Sequence, residues 1–574
     1  MKLLKLTIEN KEGFRSLQQG FEIQFHSLAD TESMSAFRPF CFAGLNGSGK
    51  SNVLEALANI FYHLEICVAR YLPESIRNPK NFRPNECTPD AFTLEYLIGR
   101  HNQKIYVLHN FYKVTITKEE GEAPIMKIKE FPFDKTVTEV EISLEVNEGS
   151  EQSAPGKAYL PDHIIGYSSG ENEILSLPFV KSRLIHLDEY KQATRDNYER
   201  FDEPENSLIY IDNNMSQAVL LTCLLFESDE TLAPLREVDN TGILGLRSFR
   251  MNINLHDFVF EDKKSKEPTY TPILKLIEPH QIDALKKCAT CWFLDHKTKK
   301  LWLDFYVDEA TKLAFREHFN KSLECFQFFR LLYELNSHFV DEKTKEKIYQ
   351  SKGVYTDWKL PTGTPEQDVF HFLDFYIAKQ LKQSGEIKDL LLRSFSDGEH
   401  QFIHTMGICL LLKDKRSILL LDEPETHFNP SWRAKFIKVL NDSITSGSNR
   451  DLPNGNFNVH LLKDILLTSH SPFIISDCMP NNVIFFKKDE ETKQLEAKSA
   501  VELGLNTYGS SVDYILKNFF KTSLISNKSF EELRRLIEHG NIDQLRSAVE
   551  HFGESSEKQF LFKRIYELMH QNDY

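Results

Sequence analysis

One stretch of this sequence constrains its fold more than any other: Gly44-Leu45-Asn46-Gly47-Ser48-Gly49-Lys50-Ser51, of the form G-x-x-x-x-G-K-S. A short apolar run, Phe40-Cys41-Phe42-Ala43, precedes it. Apolar residues at Val53, Leu54, Leu57, Phe61 and Leu64 follow at helical spacing. Strand, loop and helix in that order is the setting in which the motif works as a phosphate-binding P-loop. Its glycines let backbone amides close around phosphate oxygens where a side chain would block the approach. Lys50 is placed to reach the β- and γ-phosphates and Ser51 to hold Mg²⁺, with Asn52 next in the helix. The motif predicts a core that binds a nucleoside triphosphate.

At 574 residues the chain has room for about three or four domains. Its 43 phenylalanines imply large buried surfaces rather than disorder. No run of eighteen apolar residues occurs, so no membrane span is expected, and the start Met1-Lys2-Leu3-Leu4-Lys5 lacks the apolar segment of a secretory signal. Nine cysteines are scattered without a framework, which suits a reducing cytoplasm. With 69 basic against 84 acidic residues the net charge is −15, which argues against a chain that coats nucleic acid on its own. A local basic groove, or binding through a partner, stays open.

Residues 2–8 and 21–25 read as strands, with Phe14-Arg15-Ser16-Leu17 at a turn between them. After the P-loop helix, strand-like runs at 92–98, 104–108, 111–116 and 137–144 suggest antiparallel hairpins attached to the core. His163-Ile164-Ile165-Gly166-Tyr167 reads as a further strand, leading into Ser168-Ser169-Gly170-Glu171-Asn172-Glu173. From about 182 to 389 no phosphate chemistry is visible; helices mix with at least one strand, at 300–307. The Phe-rich stretch 315–339 is most simply core, and the lone pair Cys288 and Cys291 reads as structural rather than zinc-binding. Ser396-Asp397-Gly398-Glu399 opens a helical pattern. Then Ile418-Leu419-Leu420-Leu421-Asp422-Glu423 is a buried strand ending in two acids, and the strand at 464–468 delivers Ser469-His470. The segment 441–458 is a polar loop, and beyond 488 the pattern turns helical, with a capping box expected at Ser529 to Glu532.

Four signals therefore stand in order: a P-loop, an S-x-G-E turn, an apolar strand ending Asp-Glu, and a histidine closing the next strand. Asp422 is placed to hold Mg²⁺ beside Ser51, Glu423 to polarise the attacking water, and His470 to sense the γ-phosphate. Ser396 and Gly398 offer a hydroxyl and a backbone amide at a helix N-terminus.

Together these motifs resemble the ATP-binding-cassette ATPases of the SMC/RecF-like branch. The G-x-N-G-S-G-K-S form, Ser396-x-Gly398-Glu399 and the spacing from there to Asp422 carry the resemblance. It implies an α/β fold with a mixed sheet flanked by helices and an antiparallel β subdomain. A large, mainly helical insertion and a helical C-terminal tail complete the expectation. The implied division is 1–181 and 390–488 for the two parts of the ATPase domain, 182–389 for the insertion and 489–574 for the tail. The resemblance implies ATP and Mg²⁺ as ligands, and a homodimer or higher oligomer in which the signature residues Ser396, Gly398 and Glu399 of one copy complete the other's site. Ser168 to Glu173 stands where the family has a glutamine-bearing switch loop, and contains no glutamine.

A closer resemblance, through Phe14 to Leu17, Tyr167 to Glu173 and Leu421-Asp422-Glu423-Pro424-Glu425-Thr426-His427, is to restriction-system-associated ATPases and the PtuA subunits of Septu systems. It implies an antiphage role with a separate HNH nuclease (PtuB-like). A reverse transcriptase with its retron DNA is a further partner of some such systems, and nucleic acid would be met through the complex. The competing expectation is a repair-type ATPase that clamps DNA directly. A self-contained nuclease of the overcoming-lysogenization-defect type would need a Toprim domain, which the residues after 482 do not provide.

Overall fold

The computed structural model describes residues 1–574 apart from 31–35, 71, 101–104, 107, 147–152, 170–172, 196–206, 238, 240, 256, 262–267, 273–278, 353–367, 413–414, 446–456, 459–462, 490–491, 493, 521–525 and 571–574. Parts of the Ser168–Glu173 cluster and of the 441–458 loop lie outside the described residues.

The centre is a seven-stranded sheet made of β1 (Phe40–Gly44), β2 (His163–Ser168), β3 (Leu208–Tyr210), β4 (Ser417–Asp422), β5 (Asp464–Ser469), β6 (Val483–Lys488) and β7 (Leu495–Ser499). Their spatial order is β3-β2-β4-β5-β1-β6-β7. All neighbours run parallel except β7, an antiparallel edge. Every residue of β1, β4 and β5 is buried, the continuous apolar pattern of strands covered on both faces. Period-two alternation divides these residues between two cores. Phe40, Phe42, Ile418, Leu420 and Leu466 face one, and Cys41, Ala43, Leu419, Leu421 and Leu467 face the other.

The first core is closed by α1 (Lys50–Val68), by α2 (Glu173–Arg195) and by a six-stranded antiparallel sheet. That sheet runs in the order Phe21–Gln24, Lys2–Ile8, Phe92–Gly99, Phe111–Lys118, Ile125–Glu130 and Val140–Ile142. The expected α1 positions Val53, Leu54, Leu57, Phe61 and Leu64 are all fully buried here. A buried polar knot joins this sheet to β5. Asp464 accepts from the Leu3 amide at 2.6 Å and from His26 at 2.9 Å and pairs with Lys2 at 3.2 Å. Burial opposes its charge, but His26 and Lys2 outweigh it and hold the carboxyl well below the usual range.

The second core is closed by α3 (Asn213–Phe226), α4 (Ser322–Leu335), α6 (Asp397–Leu411) and α7 (Phe436–Thr445). A five-stranded antiparallel sheet joins them, in the order Cys291–Asp295, Lys300–Tyr306, Ile243–Asn254, Phe370–Gln380 and Ile387–Leu391. The segment 182–389, expected to be mainly helical with at least one strand, carries helices together with most of this sheet and the strand β3. Phe249 and Phe305 stack at 4.3 Å in that core, with Phe315 against both. Between α4 and β6 in sequence, α5 (Glu342–Gln350) packs on the first core through Ile348 and Tyr349.

The residues after 488 begin with the edge strand β7 and end in α8 (Asn527–His539), α9 (Ile542–His551) and α10 (Lys558–His570), which share a small core of Leu533, Leu545, Ala548 and Leu561. The expected capping box at Ser529 is corrected: α8 starts earlier, with Ser526 as its N-cap, so Ser529 lies inside the first turn and its hydroxyl meets that of Ser526. A capping box occurs instead on α9, between Asn541 and Gln544.

Candidate nucleotide-binding site

Parallel strands deliver their carboxyl ends to one edge of the sheet, and three of the four motifs meet that edge, from β1, β4 and β5. Gly44 ends β1 at φ 152°, and Gly47 and Gly49 sit in the left-handed region at φ 73° and 86°. A Cβ on Gly44 would lie 2.6 Å from the Phe486 carbonyl oxygen, and one on Gly49 would collide with the Ser16 hydroxyl. Both glycines are therefore required by close approach. Leu45, Asn46 and Gly47 are exposed, while Ser48, Gly49 and Lys50 are buried.

Lys50 donates to the carbonyls of Gly44 and Leu45, each at 3.1 Å. Burial lowers its pKa, and Glu423 and Asp422 act against that shift. Its ammonium therefore sits between the loop and the two acids. The Ser51 hydroxyl donates to Asp422 Oδ1 at 2.8 Å, and the Thr468 hydroxyl donates to the same oxygen at 2.7 Å. Thr468 Oγ1 also accepts from the Glu423 amide at 2.9 Å. That contact matters because Glu423 has φ 49°, a left-handed backbone that costs a residue with a Cβ roughly 1–2 kcal/mol. Thr468 fixes both acids at once. The register makes this possible, since Thr468 stands directly opposite Asp422 across β4 and β5.

Glu423 Oε1 lies 3.3 Å from His470 Nε2. The hydrogen bond from His470 lowers the Glu423 pKa against partial burial, so the carboxylate is held ionised. Glu425, two residues on, is buried and pushed up to about 7 by that burial, with the Ser469 hydroxyl donating to it. Ser168 stands opposite Asp422 on the other side of β4, and the Ser169 hydroxyl donates to Thr426 at 2.9 Å. The end of β2, Ser168 and Ser169, therefore stands beside the acids.

The S-x-G-E turn lies elsewhere. Ser396 caps α6 in a capping box, accepting from the Glu399 amide while Glu399 Oε2 accepts from the Ser396 amide at 3.0 Å. Lys379 also holds Glu399. A Cβ on Gly398 would lie 2.8 Å from the His427 carbonyl oxygen. Among the described residues, the side-chain bonding partners of Ser396 and Glu399 are one another and Lys379, and none belongs to the P-loop. One chain thus brings together Lys50, Ser51, Asp422, Glu423 and His470, and leaves Ser396, Gly398 and Glu399 outside that group.

Sequence reasoning did not single out Thr468, Glu425 or Ser469, nor the support under the loop. There Ser16 donates to Asn52 at 2.7 Å, and Arg15 pairs with Glu55 of α1 at 2.8 Å. The signal available was a run of polar residues closing a buried strand, Thr468-Ser469-His470. Cys288 is buried and Cys291 exposed, and both are free thiols. Among the described residues no group of three or more His, Cys, Asp or Glu side chains could hold a metal. Ser51 with Asp422 is instead the hydroxyl-and-carboxylate oxygen pair that suits Mg²⁺ held with phosphates and water. No helix among the described residues is long and apolar enough to cross a membrane.

A family model described as AAA ATPase domain matches residues 1–475. No curated protein matches the sequence. Among solved structures, an SMC head bound to the C-winged helix domain of ScpA is similar over 88% of this chain and 99% of its own, at 10% identity and TM-score 0.32. An SMC head domain with a coiled coil and joint from Pyrococcus yayanosii covers 88% and 98%, at 9% identity and TM-score 0.28. The recombination mediator RecF with ATP covers 84% and 96%, at 12% identity and TM-score 0.26. At such values these likenesses carry nothing about function, which rests on the family and the site.

Proposed function

The chain belongs to the AAA ATPase domain family and is an ATPase, and from that premise we propose that it works as an ATP-gated dimer controlling a separate nuclease. One observation carries the reading: the P-loop and the acids are bonded into one cluster, while the S-x-G-E helix cap is complete in itself and has no partner in that cluster. A second copy of the chain supplies the missing half of each site.

In this mechanism Lys50 leaves the Gly44 and Leu45 carbonyls for the phosphate oxygens. Ser51 and Asp422 would hold Mg²⁺, which when bound would neutralise charge on the phosphates. Glu423, kept ionised by His470, orients and deprotonates the attacking water. His470 then answers to the presence of the γ-phosphate. Ser396 and Gly398 of the second copy offer a hydroxyl and an amide to the same phosphate at the start of α6. Thr468 is a positioning residue, acting through Asp422 and Glu423.

The nuclease is of HNH type, and the setting is antiphage defence, in a Septu-like pair or a retron with its reverse transcriptase and DNA. The strings Phe14 to Leu17 and Leu421 to His427 support this by resemblance. The rival is a DNA clamp of the SMC/RecF kind, and the net charge of −15 weighs against it. Native affinity purification from the host, with mass spectrometry and a nucleic-acid stain, decides between them. Recovery of a small HNH protein is the expected result. A dimer recovered alone that binds DNA only with ATP would support the clamp instead.

A further inference from the structure

Two to four turns beyond the P-loop, α1 borders a cavity of about 100 Å³ closed by α2, by the end of α5 and by residues 79–88. Asn59 to His63 lie nine to thirteen residues after Lys50, which at 1.5 Å per residue is roughly 14–20 Å along the helix. The cavity is therefore separate from the triphosphate loop.

Its chemistry is cationic. Lys181 of α2 is buried to 8% exposure, and its ammonium donates to the Ser351 carbonyl at 2.5 Å and lies 5.7 Å from the Tyr62 ring. Among the described residues no carboxylate pairs with it. Burial pushes its pKa down to about 8, with Lys352 adding to the shift and Cys87 opposing it. A buried ammonium is costly unless a counter-charge meets it. Ser351 adds a second unmet group, because its buried hydroxyl oxygen has no hydrogen-bond partner among the described residues. At the rim, Lys80 and Lys352 are exposed and make no ion pair among the described residues, while Arg83 is paired with Glu86 at 2.8 Å. Three cations without counter-charges thus converge on one concavity in a chain whose net charge is −15.

We propose that this cavity is a second anion site that takes a small phosphate-bearing ligand on Lys181 and Ser351. A phosphate fits the observations better than a single carboxylate. It carries up to two charges for the three cations, and it has enough oxygens to accept from the Lys181 ammonium and the Ser351 hydroxyl together. At about 100 Å³ the space holds several waters, or one tetrahedral oxyanion in their place. A sugar or base attached to the phosphate would lie towards the open rim.

The test is calorimetric titration of the full chain carrying Lys50→Ala, which weakens the P-loop, with inorganic phosphate and separately with AMP. Saturable binding of one ligand per chain is expected. It should weaken by roughly tenfold or more in Lys181→Met, the loss of a charge-assisted hydrogen bond, and survive in Lys181→Arg. Saturation by phosphate alone identifies the free ion as the ligand. Saturation by AMP alone identifies a phosphate ester. Ser351→Ala and Lys352→Glu must also weaken binding, which keeps the proposal testable should Lys181→Met fail to fold. Binding indifferent to all of these changes would belong to the P-loop and overturn the proposal. So would the absence of binding by both probes, or binding confined to a 5′-phosphorylated oligonucleotide.

Discussion

The two ends of the nucleotide chemistry are built differently. At the P-loop end, side chains from two adjacent strands and α1 are tied into one cluster: Ser51 and Thr468 share an oxygen of Asp422, Thr468 takes the Glu423 amide, and Glu423 faces His470. At the signature end, Ser396 and Glu399 satisfy each other, with Lys379 completing the set. The first end is assembled for a ligand within one chain. The second is a helix cap held rigid and presented outward. Under the proposed dimer, that difference divides the work: binding would be intrinsic to one chain, whereas hydrolysis would take both.

The sharpest way to break this comparison is Glu423→Gln. Loss of the base should slow hydrolysis by roughly 10²- to 10⁴-fold while nucleotide affinity holds, and light scattering should then find ATP-bound chains paired. Unchanged turnover would mean that another residue activates the water. Ser396→Arg attacks the other end. It is expected to lower hydrolysis by about 10²- to 10³-fold, the usual loss when a donor to transition-state charge is removed, while ATP binding to the isolated chain stays as it was. A fall in single-chain affinity would place Ser396 at its own P-loop. Lys50→Ala should give the opposite pattern, weakening ATP binding by roughly ten- to a hundredfold through a lost charged hydrogen bond; equilibrium binding of a fluorescent ATP analogue reads it.

The smallest effect concerns Glu425. Its folded pKa is raised from 4.5 to about 7, so its stabilising contribution is complete below 4.5 and is lost as pH rises through about 7. Glu425→Gln should flatten that slope in denaturant midpoints measured across the same window. A wild-type curve with no decline there would show the carboxyl to be ordinary.

What could be read from the sequence divides along the same line. Phosphate chemistry tolerates few residue types, so Gly44 to Ser51 and Asp422-Glu423 were visible as strings, and buried parallel strands announced themselves as unbroken apolar runs. Thr468 was not visible, because its role exists only once β5 lies beside β4 in a register that pairs it with Asp422. The five-stranded sheet was only partly legible. Its strand Cys291–Asp295 has no buried residue and Ile387–Leu391 is exposed or half-buried, so neither shows the alternation that marks a strand. The cap at Ser526 was missed because three hydroxyl-bearing or amide residues, Ser526, Asn527 and Ser529, compete for it, and position alone does not rank them.

The central claim is that each site is shared between two copies, and mixing two inactive variants tests it most directly. Lys50→Ala lacks a working loop and Ser396→Arg lacks a working cap, so neither should hydrolyse ATP alone. Ser396 is preferred to Gly398 for this purpose, since a side chain at Gly398 would also push on His427 beside the chain's own acids. In a mixed dimer one site receives both defects and the other receives none. Recovery of ATP hydrolysis on mixing is the predicted result; a mixture as inactive as its components would contradict the shared site.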